Sequence, residues 1–187
     1  MGAIIVIAAS AGGLDPLRRI VSVLPSSLRA SVFVVQHIGA NRSRLPDLLS
    51  AWGSLPAAFA RHGQAIERGR IYIAPPDRHM RLQGGVIRLD HGPKVHFTRP
   101  AADPLFVSAA VAYGERVVGI VLSGGNSDGA EGIRAITARG GLGLVQDLAE
   151  AEYPEMPMAA LRLDHPEPPL PIARLAERIV AHCLSSD

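Results

Sequence analysis

Three residue types able to carry out acyl transfer stand at the same kind of place along this chain. Ser10 closes the short apolar run Ile4-Ile5-Val6-Ile7 and sits among Ala8, Ala9, Ala11, Gly12 and Gly13. His37 closes a second run, Ser31-Val32-Phe33-Val34-Val35-Gln36. Asp128 lies in the loop Ser123-Gly124-Gly125-Asn126-Ser127-Asp128-Gly129, after a third run from Val117 to Leu122. A serine hydroxyl is too weak an acid to attack a carbonyl unaided, so an imidazole must take its proton. A buried carboxylate then fixes the imidazole's tautomer and stabilises the imidazolium that forms. Backbone N–H groups of Ala11, Gly12 and the Gly124-Gly125 segment are the candidate oxyanion donors.

Each residue also has a plainer reading. Ser10 could cap the helix that follows it, and His37 could be an ordinary strand-end histidine. Asp128 and Glu131 have the spacing of a capping box. The small residues around Ser10 would equally suit a phosphate held by the free N–H groups of a helix N-terminus. Their spacing is not that of G-x-G-x-x-G, G-x-S-x-G or a P-loop. A cap does not explain why Gly124, Gly125 and Gly129 crowd around Asp128, which points to backbone brought close to a ligand.

The elements that must position these residues follow from periodicity. The three apolar runs are too short for helices and read as strands buried on both faces of a parallel sheet. Leu14 to Leu24, with apolar residues at 14, 17, 20, 21 and 24, reads as a helix, and Asn41 to Trp52 as another. Pro56 to Ala60, Ile71 to Ala74 and Leu142 to Gln146 read as further strands. His79 to Gln83 and Val86 to Asp90 flank Gly84-Gly85, a hairpin signal. Pro93, Pro100 and Pro104 make His91 to Pro104 irregular. Helices are expected from Asp103 or Pro104 to Tyr113, Ala130 to Arg139, Met156 to Leu163 and Ile172 to Leu184. The stretch with Pro166, Pro168, Pro169 and Pro171 is a stiff connector. The pattern predicts an α/β fold: a doubly wound, mostly parallel sheet with helices on both faces and a peripheral antiparallel hairpin. Its site should lie outside the carboxyl ends of the strands, where Ser10, His37 and Asp128 would meet. Gln36, Gln146, Asp147 and Tyr153 fall at the same edge, in a functional or a structural role.

At 187 residues the chain fits one domain, 1–187. Nineteen Lys and Arg against seventeen Asp and Glu, without a basic run or an aromatic stacking set, argue against nucleic acid. No apolar stretch reaches membrane-spanning length, and the N-terminal run lacks the form of a signal peptide. The expected location is the cytoplasm. The single cysteine, Cys183, excludes an intramolecular disulfide. His79, His91 and His96 lack metal-ligand spacing, so neither metal nor cofactor is expected. His62, His165 and His182 are expected to be solvated.

Several blocks resemble the chemotaxis protein-glutamate methylesterase family, the CheB type. Ala9-Ser10-Ala11-Gly12-Gly13 resembles its A-S-T-G-G turn, and Gln36-His37-Ile38 its Q-H-M segment. Ile71 to Met80 is similar to its Y-I-A-P-x-D-x-H-M block, and Arg99-Pro100 with Asp103, Leu105 and Phe106 to an R-P-x-x-D-x-L-F stretch. Ile120 to Gly129 is similar to its I-L-T-G-M-G-x-D-G loop, and Gln146-Asp147, Tyr153, Met156-Pro157 and Ala160 to the segment after it. The resemblance implies an enzyme that removes methyl esters from glutamate side chains of chemoreceptor cytoplasmic domains and deamidates receptor glutamines. It assigns the catalytic roles to Ser10, His37 and Asp128. Ala11 replaces the family's usual Thr, and Gly125 replaces the Met of its G-M-G loop. Typical members also carry an N-terminal receiver domain, whereas Met1 here leads directly into the first strand. That leaves an excised fragment, or a stand-alone enzyme served by a separate regulatory protein. The rival readings are an esterase or amidase on another protein, a nucleotide- or phosphate-binding module, and a non-catalytic interaction domain of the same fold.

Overall fold

Every residue from Ala3 to Ala9 is buried, and this continuous apolar run forms β1 (Ala3–Ala9) at the centre of the sheet. Successive strand residues face opposite sides. Ile5, Ile7 and Ala9 enter one hydrophobic cluster, while Ile4, Val6 and Ala8 enter the other. The computed structural model describes residues 2–37, 43–163 and 167–185.

β1 pairs in parallel with β2 (Ala30–Gln36) on one side and with a strand from Val117 to Val121 on the other. Taken in chain order, the remaining strands are β3 (Ala57–Phe59), β4 (Arg70–Ile73), β5 (His79–Gln83), β6 (Val86–Asp90), β7 (Val117–Val121) and β8 (Leu142–Val145). Six of them form one parallel sheet in the order β3-β4-β2-β1-β7-β8. The chain therefore winds outward from β1 through β2 and returns across it to β7. That reversal places a topological switch point at the end of β1, where open α/β sheets hold their ligands. In this register Ala9 lies opposite Gln36 and Ala8 opposite Val121. Ser10, His37 and the loop after β7 thus leave the sheet together.

One face carries α1 (Leu14–Val23), α2 (Leu45–Trp52) and α6 (Ile172–Ser185), packed through Leu17, Ile20, Leu49, Leu175 and Ile179. The other carries α3 (Ala102–Tyr113), α4 (Ala130–Thr137) and α5 (Glu155–Leu163), packed through Phe106, Ile133 and Met156. β5 and β6 form a separate antiparallel pair. Gly84 and Gly85 both adopt positive φ at its tip, which suits the right-handed twist of a hairpin. The pair lies at the periphery, outside the six-stranded sheet, and is anchored there by Met80, Leu82 and Ile87, which pack beneath α3.

Some boundaries differ from expectation for identifiable reasons. α2 begins at Leu45, with Pro46 in its first turn and the Leu45 N–H bonded to Ser43 Oγ at 3.1 Å. Asn41, where that helix was expected to start, lies outside the described residues. α3 begins at Ala102 because Pro104 falls in its first turn, where a missing N–H costs nothing. Val95 and Thr98 exchange backbone hydrogen bonds of 3.1 and 2.9 Å, so the proline-rich stretch contains a tight two-residue turn. His182 is half-buried rather than solvated, and burial pushes its pKa down. His62 is exposed, with Nδ1 3.2 Å from the Leu89 N–H. His165 lies outside the described residues. Among the described residues no helix is long and apolar enough to cross a membrane.

Cys183 is buried on α6, and burial pushes its thiol up to about 11. The neutral thiol therefore favours folding below the unfolded pKa of about 8.5, and this contribution is lost as pH rises towards the folded value. A maleimide should label Cys183 near neutral pH only after denaturation. Rapid labelling of the native protein would show that the end of α6 opens.

Candidate active site

Ser10 stands on the turn between β1 and α1. Gly12, at φ +70°, turns the chain, and the α1 N-cap is Gly13 without a side-chain hydrogen bond. Ser10 is therefore not a helix cap. Its backbone is clamped from both sides: its N–H donates to Ser123 O at 2.9 Å, and its carbonyl accepts from Gln36 Nε2 at 2.8 Å and from the Gly13 N–H at 3.0 Å. Ser123 is itself fixed, because its N–H donates to Gln146 Oε1 at 2.8 Å. The Ser123 hydroxyl donates to Ala11 O at 2.8 Å and accepts the Tyr153 N–H at 2.9 Å. Gln36, Gln146 and Tyr153 thus act as fasteners of the serine turn. Asp147 is not among them; its carboxylate accepts the Ala149 N–H within its own turn.

The loops after β1 and β7 meet so closely that side chains are excluded. A Cβ on Gly124 would run into Met156 Sδ and lie 2.8 Å from Ser10 Cβ. The Gly124 N–H donates to Tyr153 O at 2.9 Å, which removes it from the candidate oxyanion donors. Among the described residues, the N–H groups of Ala11, Gly12 and Gly125 meet no protein acceptor. A Cβ on Gly125 would meet nothing within 4 Å. Gly125→Met, which restores the family's residue, should therefore change stability by less than about 0.5 kcal/mol. Gly124→Ala should cost about 1–3 kcal/mol through overpacking. Urea unfolding of the two variants checks the contrast, and equal costs would contradict the packing described.

His37 continues the β1–β2 ladder one step past the strand, its N–H bonded to Ala9 O at 3.0 Å. Its Nε2 lies 2.8 Å from Asp128 Oδ2, so the carboxylate fixes the proton on Nε2 and leaves Nδ1 as the basic nitrogen. Thr98 Oγ1 lies 3.4 Å from the same Nε2. Asp128 is fully buried, and its neighbours explain how a carboxylate is tolerated there. The backbone N–H groups of Ala102 and Asp103 donate to Oδ2 and Oδ1 at 2.6 and 3.0 Å. These are the first N–H groups of α3, whose positive end favours an anion. Asp128 does not form a capping box with Glu131, since the α4 N-cap is Gly129 without a side-chain hydrogen bond. In exchange, Asp103 Oδ1 accepts the Gly132 N–H of α4 at 2.7 Å. Each helix is capped by a carboxylate belonging to the other's surroundings. The Ser10 hydroxyl makes no hydrogen bond among the described residues, and the structure brings His37 and Asp128 together more tightly than it does Ser10 and His37. Such contacts commonly tighten only when substrate closes the site.

A second relay was not foreseen. His96 Nε2 lies 2.8 Å from Asp103 Oδ2, and His96 Nδ1 lies 3.1 Å from Ser127 Oγ. Burial, and then the nearby Asp128 charge, push the Asp103 pKa up. His96, Asp103 and Asp128 each place a ligand atom within 4.8 Å of the others, a spacing that suits a cation. All four carboxylate oxygens are already served by backbone N–H groups and imidazoles. His79 is fully buried between Pro93 O and the Ala101 N–H, a structural role. The His91 ring lies 3.8 Å from the Asp77 carboxylate.

Comparison with known proteins gives consistent results. Residues 5–179 match the family model described as CheB methylesterase. A Pyrococcus abyssi protein-glutamate methylesterase/protein-glutamine glutaminase is 38% identical, over 94% of this chain. This chain spans only 49% of that relative, about half its length. A Leptospira interrogans protein, provisionally named for the same activities, is 33% identical, over 94% of this chain and 92% of its own. The crystal structure of the Thermotoga maritima CheB methylesterase catalytic domain superposes with a TM-score of 0.92. That match covers 97% of this chain and 98% of the other, at 28% identity.

Proposed function

Because the chain belongs to the CheB methylesterase family, we propose that it hydrolyses γ-methyl esters of glutamate side chains in chemoreceptor cytoplasmic domains and deamidates receptor glutamines. We take residues 1–187 as one catalytic domain acting in the cytoplasm. The observation that carries the reading is the 2.8 Å pair between His37 Nε2 and the buried Asp128 carboxylate, set beside the Ser10 turn at the switch point.

The chemistry follows from that geometry. His37 Nδ1 takes the hydroxyl proton as Ser10 Oγ attacks the γ-carbonyl. The N–H groups of Ala11, Gly12 and Gly125 receive the developing oxyanion. His37 returns the proton to the departing methoxide, methanol leaves, and a glutamyl ester of Ser10 remains. A water deprotonated by His37 then attacks this ester, and its collapse frees glutamate and regenerates the serine. With a glutamine side chain the leaving group is ammonia and the second half is identical. Methanol release from a methylated chemoreceptor cytoplasmic domain tests the reading. Release is the expected result; a folded protein that releases none from such a substrate would overturn it.

A further inference from the structure

Beside His37 lies a small cavity of about 160 Å³, bounded also by Asp77, Lys94, Phe97, Thr98 and Arg99. Three features of this wall go unused by the hydrolysis. Phe97 is 95% exposed, the most exposed of the large apolar side chains described. It sits on the two-residue turn with His96, both at positive φ, a conformation that bulky residues rarely adopt. The turn is held against that strain: His96 is tied to Asp103 and Ser127, while Thr98 Oγ1 donates to Val95 O. The third feature is Lys94, the chain's single lysine. It is exposed and forms no salt bridge among the described residues, whereas neighbouring Arg99 is spent on Asp77 and the Gly92 carbonyl.

A fastened, strained turn that holds an aromatic ring out in water beside the proposed base does not serve the core. We infer that Phe97 and Lys94 are specificity residues that read the protein segment around the reacting glutamyl group. Phe97 covers an apolar side chain of that segment, and Lys94 pairs with a carboxylate next to the ester. The occupant is thus an acidic, partly apolar peptide chain. The inference rests on the methylesterase reading for the identity of the reacting group, but the binding it describes is measurable without turnover.

The test uses a fluorescein-labelled peptide with one γ-methyl glutamyl residue flanked by glutamates and a leucine, and a twin in which glutamines replace the glutamates. Anisotropy is read on a Ser10→Ala background, and hydrolysis of p-nitrophenyl acetate on the Ser10 protein. Lys94→Gln should weaken the acidic peptide about fivefold, as expected for an exposed ion pair, and leave the glutamine twin unchanged. Phe97→Ala should weaken both peptides about tenfold through lost apolar burial, with Phe97→Leu recovering most of it. Hydrolysis of p-nitrophenyl acetate should stay within about twofold, since that ester is too small to reach the rim. Unchanged peptide affinity in both variants, or a parallel loss of p-nitrophenyl acetate hydrolysis, would overturn the inference. If the unsubstituted protein released no methanol while both variants still lost peptide affinity, the methylesterase reading would fail and this one would stand.

Discussion

Ser10→Ala is expected to lower ester cleavage by about 10⁴–10⁶-fold, because nucleophile, base and orienting carboxylate act as one unit. The same change should leave stability within about 0.5 kcal/mol. The separation is sharp because the turn does not depend on the hydroxyl. Its shape is set by the Ser10 N–H on Ser123 O, by Gln36 on the Ser10 carbonyl and by the Gly13 N–H, and all three survive in alanine. The lost oxygen also leaves no buried partner unpaired, since none bonds to it among the described residues. A fluorophosphonate should label the serine protein in a His37-dependent way and fail on the alanine variant. Methanol release close to that of the unsubstituted protein would remove Ser10 from the nucleophile role. A large fall in thermal stability would mean instead that the hydroxyl holds the turn.

Much of this arrangement was legible in the sequence. The strands were readable because Ile4 to Ile7 and Val32 to Val35 are buried on both faces, which writes them as unbroken apolar runs. Strand ends could then be compared, and Ser10 and His37 stand directly after two neighbouring ones. The loop after β7 announced itself by its glycines. What could not be read was whatever depends on two loops meeting. Asp128 has capping-box spacing with Glu131, yet its oxygens go to α3, 25 and 26 residues away. Gly124 and Gly125 are indistinguishable as letters. Met156 and Ser10 press on the first and nothing presses on the second, so only one is confined to glycine. His96 gave no signal because its two partners lie in different segments, brought together by the packing of α3 on α4.

Asp128→Asn carries the second large effect and tests whether one carboxylate serves both fold and chemistry. The amide fills the same space, but one of its two positions must hold an NH₂ where a carboxylate oxygen accepted. Placed at Oδ1, the NH₂ faces the Asp103 N–H and one buried donor is left unpaired. Placed at Oδ2, it faces the Ala102 N–H and His37 Nε2 together. His37 can then remain bonded only by moving its proton to Nδ1, the nitrogen that must receive the serine proton. Either way the imidazolium loses its counter-charge, so kcat should fall about 10⁴-fold, with KM much less affected. Leaving a buried donor unpaired should cost about 1–3 kcal/mol in unfolding free energy. Asp128→Ala removes every acceptor at once and should cost more stability, about 3–5 kcal/mol by analogy with breaking a buried ion pair. Burial is the main reason the Asp103 pKa is raised, and the Asp128 charge adds to it; Asp128→Asn deletes that charge, so the Asp103 pKa should fall part of the way. Steady-state kinetics, urea unfolding and carboxyl titration by NMR read the three effects separately. A variant with unimpaired kcat would show that His37 needs no carboxylate. A variant with impaired kcat but unchanged unfolding would show that the first N–H groups of α3 do not rely on Asp128.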